Sequence, residues 1–118
     1  MPEFTDTSPI YLQIRQRIIE MILAGRLGAD GVLPSVRQVA TDLSVNPLTV
    51  TRAYQSLVDL GVVETRRGLG MFAAEGARGK LLAHEREKFL SADWPRIRRQ
   101  IEQLDLDLQD LLKSEAKK

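Results

Sequence analysis

The side chains best suited to chemistry lie between Asn46 and Gly61. A helix over 47–60 that turns Val50, Ala53, Tyr54 and Leu57 inward leaves Leu48, Thr49, Thr51, Arg52 and Gln55 outside. Thr49 can donate and accept, Arg52 can grip guanine O6 and N7 with two N–H groups, and Leu48 can pack on a thymine methyl. That is chemistry for reading base edges rather than for breaking bonds. On its own, such a face is also what an ordinary solvated helix shows. Arg37 stands in the first turn of the preceding helix, beside Ser35, where free backbone amides and a guanidinium together suit a phosphate, or the guanidinium can reach a base directly. Further on, Arg66 and Arg67 adjoin Gly68 and Gly70. The glycines permit a tight turn and close backbone approach, so the arginines can enter a minor groove or hold phosphate. Gly68-Leu69-Gly70 is no nucleotide fingerprint, because no helix opens after it.

Composition narrows the remaining classes. The 118 residues are 43% hydrophobic and 28% charged, which describes one globular domain with a small appendage. Cysteine is absent and His84 is the single histidine, so thiolate chemistry, disulfides and imidazole-based metal sites are excluded. His84, near Glu85 and Glu87, reads as solvated. Asp105, Asp107 and Asp110 alternate with Leu104, Leu106 and Leu108, which suits a capped helix junction better than a cation site. Arg96, Arg98 and Arg99 read as a solvated helix face. No nucleophile–base pair or phosphate loop is present, so we expect neither an enzyme nor a cofactor. No apolar run suits a membrane span or a signal peptide, and a cytoplasmic location follows as an expectation. Net charge is +1 overall. Residues 1–76 hold seven arginines against eight acidic groups, and 77–118 hold ten basic against eight acidic. Nucleic acid would therefore be met by a few placed arginines rather than a broad positive face.

Local signals supply the elements that must position these side chains. Met1 to Ser8 show no apolar periodicity and read as an arm or short cap. Ile10, Ile14, Ile18 and Ile22, widened by Leu12, Ile19 and Leu23, predict a helix from Pro9 to a stop at Gly25. Gly25–Gly31 reads as a loop. Ser35 and Gln38 have capping-box spacing ahead of an apolar face of Val36, Val39, Ala40 and Leu43. Ser44 and Val45 turn the chain, and Asn46-Pro47 opens the next helix as cap and first-turn proline. Val62–Arg67 and Met71–Ala74, around Gly68–Gly70, predict a hairpin. Helix, helix-turn-helix and hairpin compose a winged helix-turn-helix over residues 1–76.

Residues 77–118 change style. Leu81, Leu82, Phe89, Leu90, Trp94, Ile97, Ile101 and Leu104 are apolar at helical spacings, with Asp93 expected to cap a break and Asp107 a last short helix. We expect a mostly α protein with a small β-hairpin, its winged unit followed by a short helical dimerisation tail. A two-fold dimer would bury Leu81, Leu82, Phe89, Trp94, Ile97, Ile101 and some terminal leucines.

The strings Leu33-Pro34-Ser35-Val36-Arg37-Gln38-Val39-Ala40, Val45-Asn46-Pro47-Leu48-Thr49-Val50-Thr51-Arg52-Ala53-Tyr54 and Arg67-Gly68-Leu69-Gly70-Met71-Phe72, with Pro9-Ile10-Tyr11-Leu12-Gln13-Ile14 before them, resemble the DNA-binding domain of GntR-family bacterial transcription regulators. The Asn46 and Arg52-Ala53-Tyr54 variant is similar to the branch shared by the YtrA and MocR subfamilies. The short remainder has no room for the aminotransferase-like domain of the latter, and the tail resembles the former. The resemblance implies a homodimeric repressor that reads an inverted-repeat operator in double-stranded DNA. It places Arg37, Thr49 and Gly68 at DNA contacts. Pro47 and Thr51 stand where many members have arginine, which removes two contacts. The tail is also small for the effector pocket of larger subfamilies. A different class of function, a winged helix that docks a protein partner through Leu48 and the arginines, is the alternative that near-neutral charge leaves open.

Overall fold

Isoleucine repeated every fourth residue builds the first helix, α1 (Ile10–Ala24), and Ile14, Ile18, Ile19 and Ile22 are its buried stripe. Ile10, expected to open that stripe, and Leu12, expected to widen it, are exposed. The computed structural model describes residues 8–114. The arm expected over Met1–Ser8 lies outside the described residues except for Ser8, whose carbonyl accepts from the Gln13 side chain at 2.9 Å. Gly25 ends α1 in the left-handed conformation, and the Arg26 N–H closes the helix on the Met21 carbonyl at 2.9 Å. The glycine-rich stretch after it is not loop throughout, for Ala29–Gly31 forms a 3-10 turn.

Helices α2 (Val36–Leu43) and α3 (Pro47–Asp59) follow, separated by Ser44, Val45 and Asn46. The Ser35 hydroxyl accepts from the Gln38 N–H at 3.0 Å, as a cap should. The reciprocal half of the expected box does not form. Gln38 donates its side-chain amide forward to Asp42 instead, at 2.8 Å, one turn along the same helix face. Asn46 caps α3 by accepting from the Leu48 N–H at 2.8 Å, with Pro47 in the first turn. Ser44 makes the intervening corner with φ 56°.

Strands β1 (Val63–Arg66) and β2 (Gly70–Ala73) pair antiparallel, with Glu64 opposite Phe72 and Arg66 opposite Gly70. Val32 bridges to Phe72, and the Leu33 N–H donates to the Met71 carbonyl at 2.9 Å, so the segment entering α2 is sewn to the hairpin. One core unites Ile14, Ile18, Ile19 and Ile22 of α1 with Val39 and Ala40 of α2, Val50, Ala53, Tyr54 and Leu57 of α3, and Val62 and Val63 beside the hairpin.

The chain divides into two units, Met1–Leu82 and Ala83–Lys118, with the boundary inside α4 (Ala77–Lys88) rather than at Gly76. The reason is packing. Ala77 and Leu81 belong to the core of the first unit, and Leu81 is 0% exposed. Leu81 therefore has no surface to offer a second copy, which corrects its expected place among the dimer residues.

The second unit contains α5 (Trp94–Gln103) and α6 (Leu108–Lys113). Asp93 does not cap a break. Phe89–Asp93 form a π-helical turn in which the Trp94 N–H reaches back to the Phe89 carbonyl, and Asp93 itself is helical. Pro95 has no N–H, and its ring crowds the carbonyl four residues earlier, so the widened turn accommodates it without ending the helix. Asp107 does cap α6, accepting from the Gln109 N–H at 3.0 Å, and Asp105 makes the corner before it with φ 54°. Phe89, Leu90, Leu104, Leu106, Leu108, Leu111 and Leu112 are exposed, and Trp94, Ile97 and Ile101 are half-buried.

Candidate nucleic-acid interface

Two caps and one buried face place the outer side of α3. Val50, Ala53, Tyr54 and Leu57 are buried, which turns Leu48, Thr51, Arg52 and Gln55 outward and leaves Thr49 half-buried. Leu48, in the first turn of the helix, is 74% exposed. Tyr54 locks the helix to the chain entering α2, its hydroxyl donating to the Pro34 carbonyl at 2.7 Å. Burial raises the Tyr54 phenol above its ordinary range, so it stays a donor.

Arg52 is exposed but not loose. Its guanidinium carbon stands 3.9 Å from the centroid of the Tyr11 ring on α1. Among the described residues Arg52 takes part in no hydrogen bond or ion pair. Pro9, Ile10, Tyr11, Leu48, Thr49 and Arg52 line a shallow groove of about 390 Å³ between the starts of α1 and α3. Arg37 is exposed near the start of α2, close in sequence to the Ser35 cap. Ser35 and Asn46 are thus engaged as caps, and their oxygens are committed to backbone amides.

The hairpin tip separates the two arginines that the sequence places side by side. Arg66 is tied down: its Nε donates to Glu64 at 2.9 Å, and its guanidinium carbon lies 4.1 Å from the centroid of the Phe72 ring. Arg67 is exposed at the turn, with no partner among the described residues. The Leu69 N–H closes the turn on the Arg66 carbonyl at 2.8 Å. Gly68 holds φ 76°, a conformation costly for other residues, while a side-chain carbon there would meet nothing within 4 Å. Its requirement is backbone shape, and the space above it is open.

Sequence reasoning missed Tyr11 as a site residue, and it also missed Glu64 and Phe72 as anchors of Arg66. The cross-strand spacing of Glu64, Arg66 and Phe72 was a usable signal for the second case. His84 is exposed beside Glu85, with 3.3 Å between Nδ1 and the carboxylate. Among the described residues no group of His, Asp or Glu is arranged to hold a metal ion, and no helix is long and apolar enough to cross a membrane.

The description "Bacterial regulatory proteins, gntR family" fits residues 10–72, which is more than half of the chain and includes the helix-turn-helix and most of the hairpin. The chain belongs to the gntR family. Within it the chain is YtrA-like: it is 42% identical over 76 residues to the transcriptional repressor YtrA of Bacillus subtilis, covering 64% of this chain and 58% of that protein. It spans about three-fifths of the length of the curated relatives that it matches. A GntR family transcriptional regulator from Listeria monocytogenes superposes with TM-score 0.72 and 29% identity, covering 92% of this chain and 94% of that one. This likeness includes the C-terminal helices as well as the winged helix. The DNA-binding domain of AraR in complex with operator ORR3 superposes with TM-score 0.54 and 25% identity, over 63% of this chain and 90% of that one. Arg37, Thr49, Arg52 and Arg67 of this GntR chain all lie in the first unit, which has that fold.

Proposed function

We propose that the chain is a transcription regulator, acting as a repressor, that binds an inverted-repeat operator in double-stranded DNA as a homodimer. The observation that carries this reading is Arg52. It stands on the outward face of α3, with no hydrogen bond or ion pair among the described residues, in a GntR winged helix whose solved relatives include an operator complex. Thr49 and Leu48 adjoin it for base edges, Arg37 and Arg67 serve phosphates, and the Gly68 turn lets the hairpin backbone approach the duplex. A cytoplasmic protein without enzymatic activity fits the same reading. The comparisons do not favour the protein-docking alternative.

Dimerisation belongs to the residues from Leu82 onward. Leu82, Phe89 and the leucines of the second unit are exposed apolar groups, and Trp94, Ile97 and Ile101 line one side of α5. A second copy covers them and sets the spacing between two recognition helices on a palindrome.

The test is a mobility-shift selection of genomic fragments, followed by titration of Arg52→Ala on the selected fragment and on random duplex. Arg52→Ala should lose roughly 1–3 kcal/mol on the operator, with relaxed specificity. Equal loss on both duplexes reassigns Arg52 to phosphate. No retarded fragment at micromolar wild-type protein overturns the proposal and returns the docking alternative.

A further inference from the structure

We propose that Tyr11 is a positioning residue for operator recognition: its ring face holds the Arg52 guanidinium in the orientation that reads a base. The inference rests on the DNA-binding reading above and goes further, because it assigns part of the specificity to a helix outside the helix-turn-helix.

The two residues are far apart in sequence and meet because α1 and α3 share one core. Ile14 and Ile18 of α1 and Val50, Ala53 and Tyr54 of α3 are all buried in it. Tyr11 lies one turn before Ile14 on α1, and Arg52 lies next to Ala53 on α3. At 3.9 Å the guanidinium carbon is in contact with the ring. An aromatic ring offers no oxygen or nitrogen acceptor in its face, so a guanidinium resting on it keeps its N–H donors for other partners.

Other arginines show the contrast. Arg66 rests on Phe72 but also gives its Nε–H to Glu64. Arg98 pairs with Glu102 at 3.3 Å, and Arg78 donates to the Leu23 carbonyl at 2.9 Å. Arg52 rests on a neighbour that takes nothing from its hydrogen-bonding capacity. A side chain held in this way loses less freedom when it meets its target, and its fork is presented in few orientations. The restricted orientation favours a base edge matched to it over a phosphate, and so raises specificity. The groove that Tyr11 shares with Leu48 and Thr49 keeps the ring at the edge of the same reading surface.

The test uses the full chain. Wild type, Tyr11→Phe, Tyr11→Leu, Arg52→Ala and the Tyr11→Leu/Arg52→Ala double variant are titrated at one salt concentration on the selected operator and on random duplex. Tyr11→Phe keeps the ring face and should bind within about 2-fold of wild type. Tyr11→Leu should weaken operator binding roughly 3- to 10-fold while leaving random-duplex affinity unchanged. The double variant should bind no more weakly than Arg52→Ala, because the ring acts only through that arginine. Additive losses, unchanged operator binding by Tyr11→Leu, or a Tyr11→Phe loss as large as that of Tyr11→Leu would each overturn the assignment.

A second readout needs no DNA and keeps a folding defect distinguishable. The ring should shift the Arg52 side-chain Hε resonance upfield in wild type and Tyr11→Phe, and the shift should vanish in Tyr11→Leu. A missing ring shift in wild type overturns the stack itself. An intact shift with no operator selected overturns the DNA-binding reading and the role of Tyr11 with it.

Discussion

The Tyr54 hydroxyl donates to the Pro34 carbonyl at 2.7 Å, so α3 is bolted to the segment that leads into α2. That segment is itself bridged to the hairpin through Val32 and Phe72. One phenol thus connects all three parts of the candidate interface.

Tyr54→Phe should lower unfolding stability by about 1–2 kcal/mol at pH 7, since the Pro34 carbonyl loses its partner. Alkaline titration separates this loss from packing. Burial raises the folded-state value of Tyr54, whereas the unfolded chain ionises near the ordinary value of about 10. The proton is therefore retained by the folded state and released by the unfolded one. Stability is fully present below about pH 10 and falls as pH rises above it. Urea unfolding at neutral pH and above pH 10 should show a steeper decline for wild type than for Tyr54→Phe.

The two hairpin arginines should separate by measurement. Arg67→Ala should reduce the salt slope of DNA binding by about 1, the signature of one lost phosphate contact. Arg66→Ala should leave that slope alone and cost roughly 0.5–1 kcal/mol of stability, because Phe72 loses its cover. A change in salt slope for Arg66→Ala alone would reverse the two roles.

Gly68→Ala should cost about 1–2 kcal/mol in thermal or urea unfolding, from the left-handed backbone alone. Nothing lies near the added methyl, so Gly68→Asn, which tolerates that conformation, should recover part of the loss.

Leu81 and Phe89 should part company under sedimentation. Leu81→Ala removes a fully buried side chain and should cost roughly 2–5 kcal/mol of stability while the chain stays dimeric. Phe89→Ser should leave the melting of the first unit unchanged and weaken the dimer. A folded but monomeric Leu81→Ala would show that Leu81 serves the dimer after all.

Much of the candidate site was legible from near neighbours. The caps at Ser35, Asn46 and Asp107, the stop at Gly25 and the turn at Gly68 all depend on groups within five residues of each other. Where the reading went astray, a competing local bond or a distant neighbour was responsible. Gln38 had Asp42 one turn ahead and took it in preference to its own cap. Asp93 was expected to cap a break, but Pro95 was absorbed by a π-helical turn whose bond runs back to Phe89. Leu81 looked like every other leucine of the tail, since periodicity marks an apolar face without naming what covers it.

The amino-acid sequence determined the order of elements and the outward face of α3, because helix and hairpin periods decide which side chains face away from a core. Only the tertiary structure decided which arginines are held and by what. Tyr11 reaches Arg52 through the packing of α1 on α3, and Leu81 is lost to the first unit by the same kind of packing. Contacts between residues distant along the chain depend on how the elements close on one another, and no local spacing encodes that geometry.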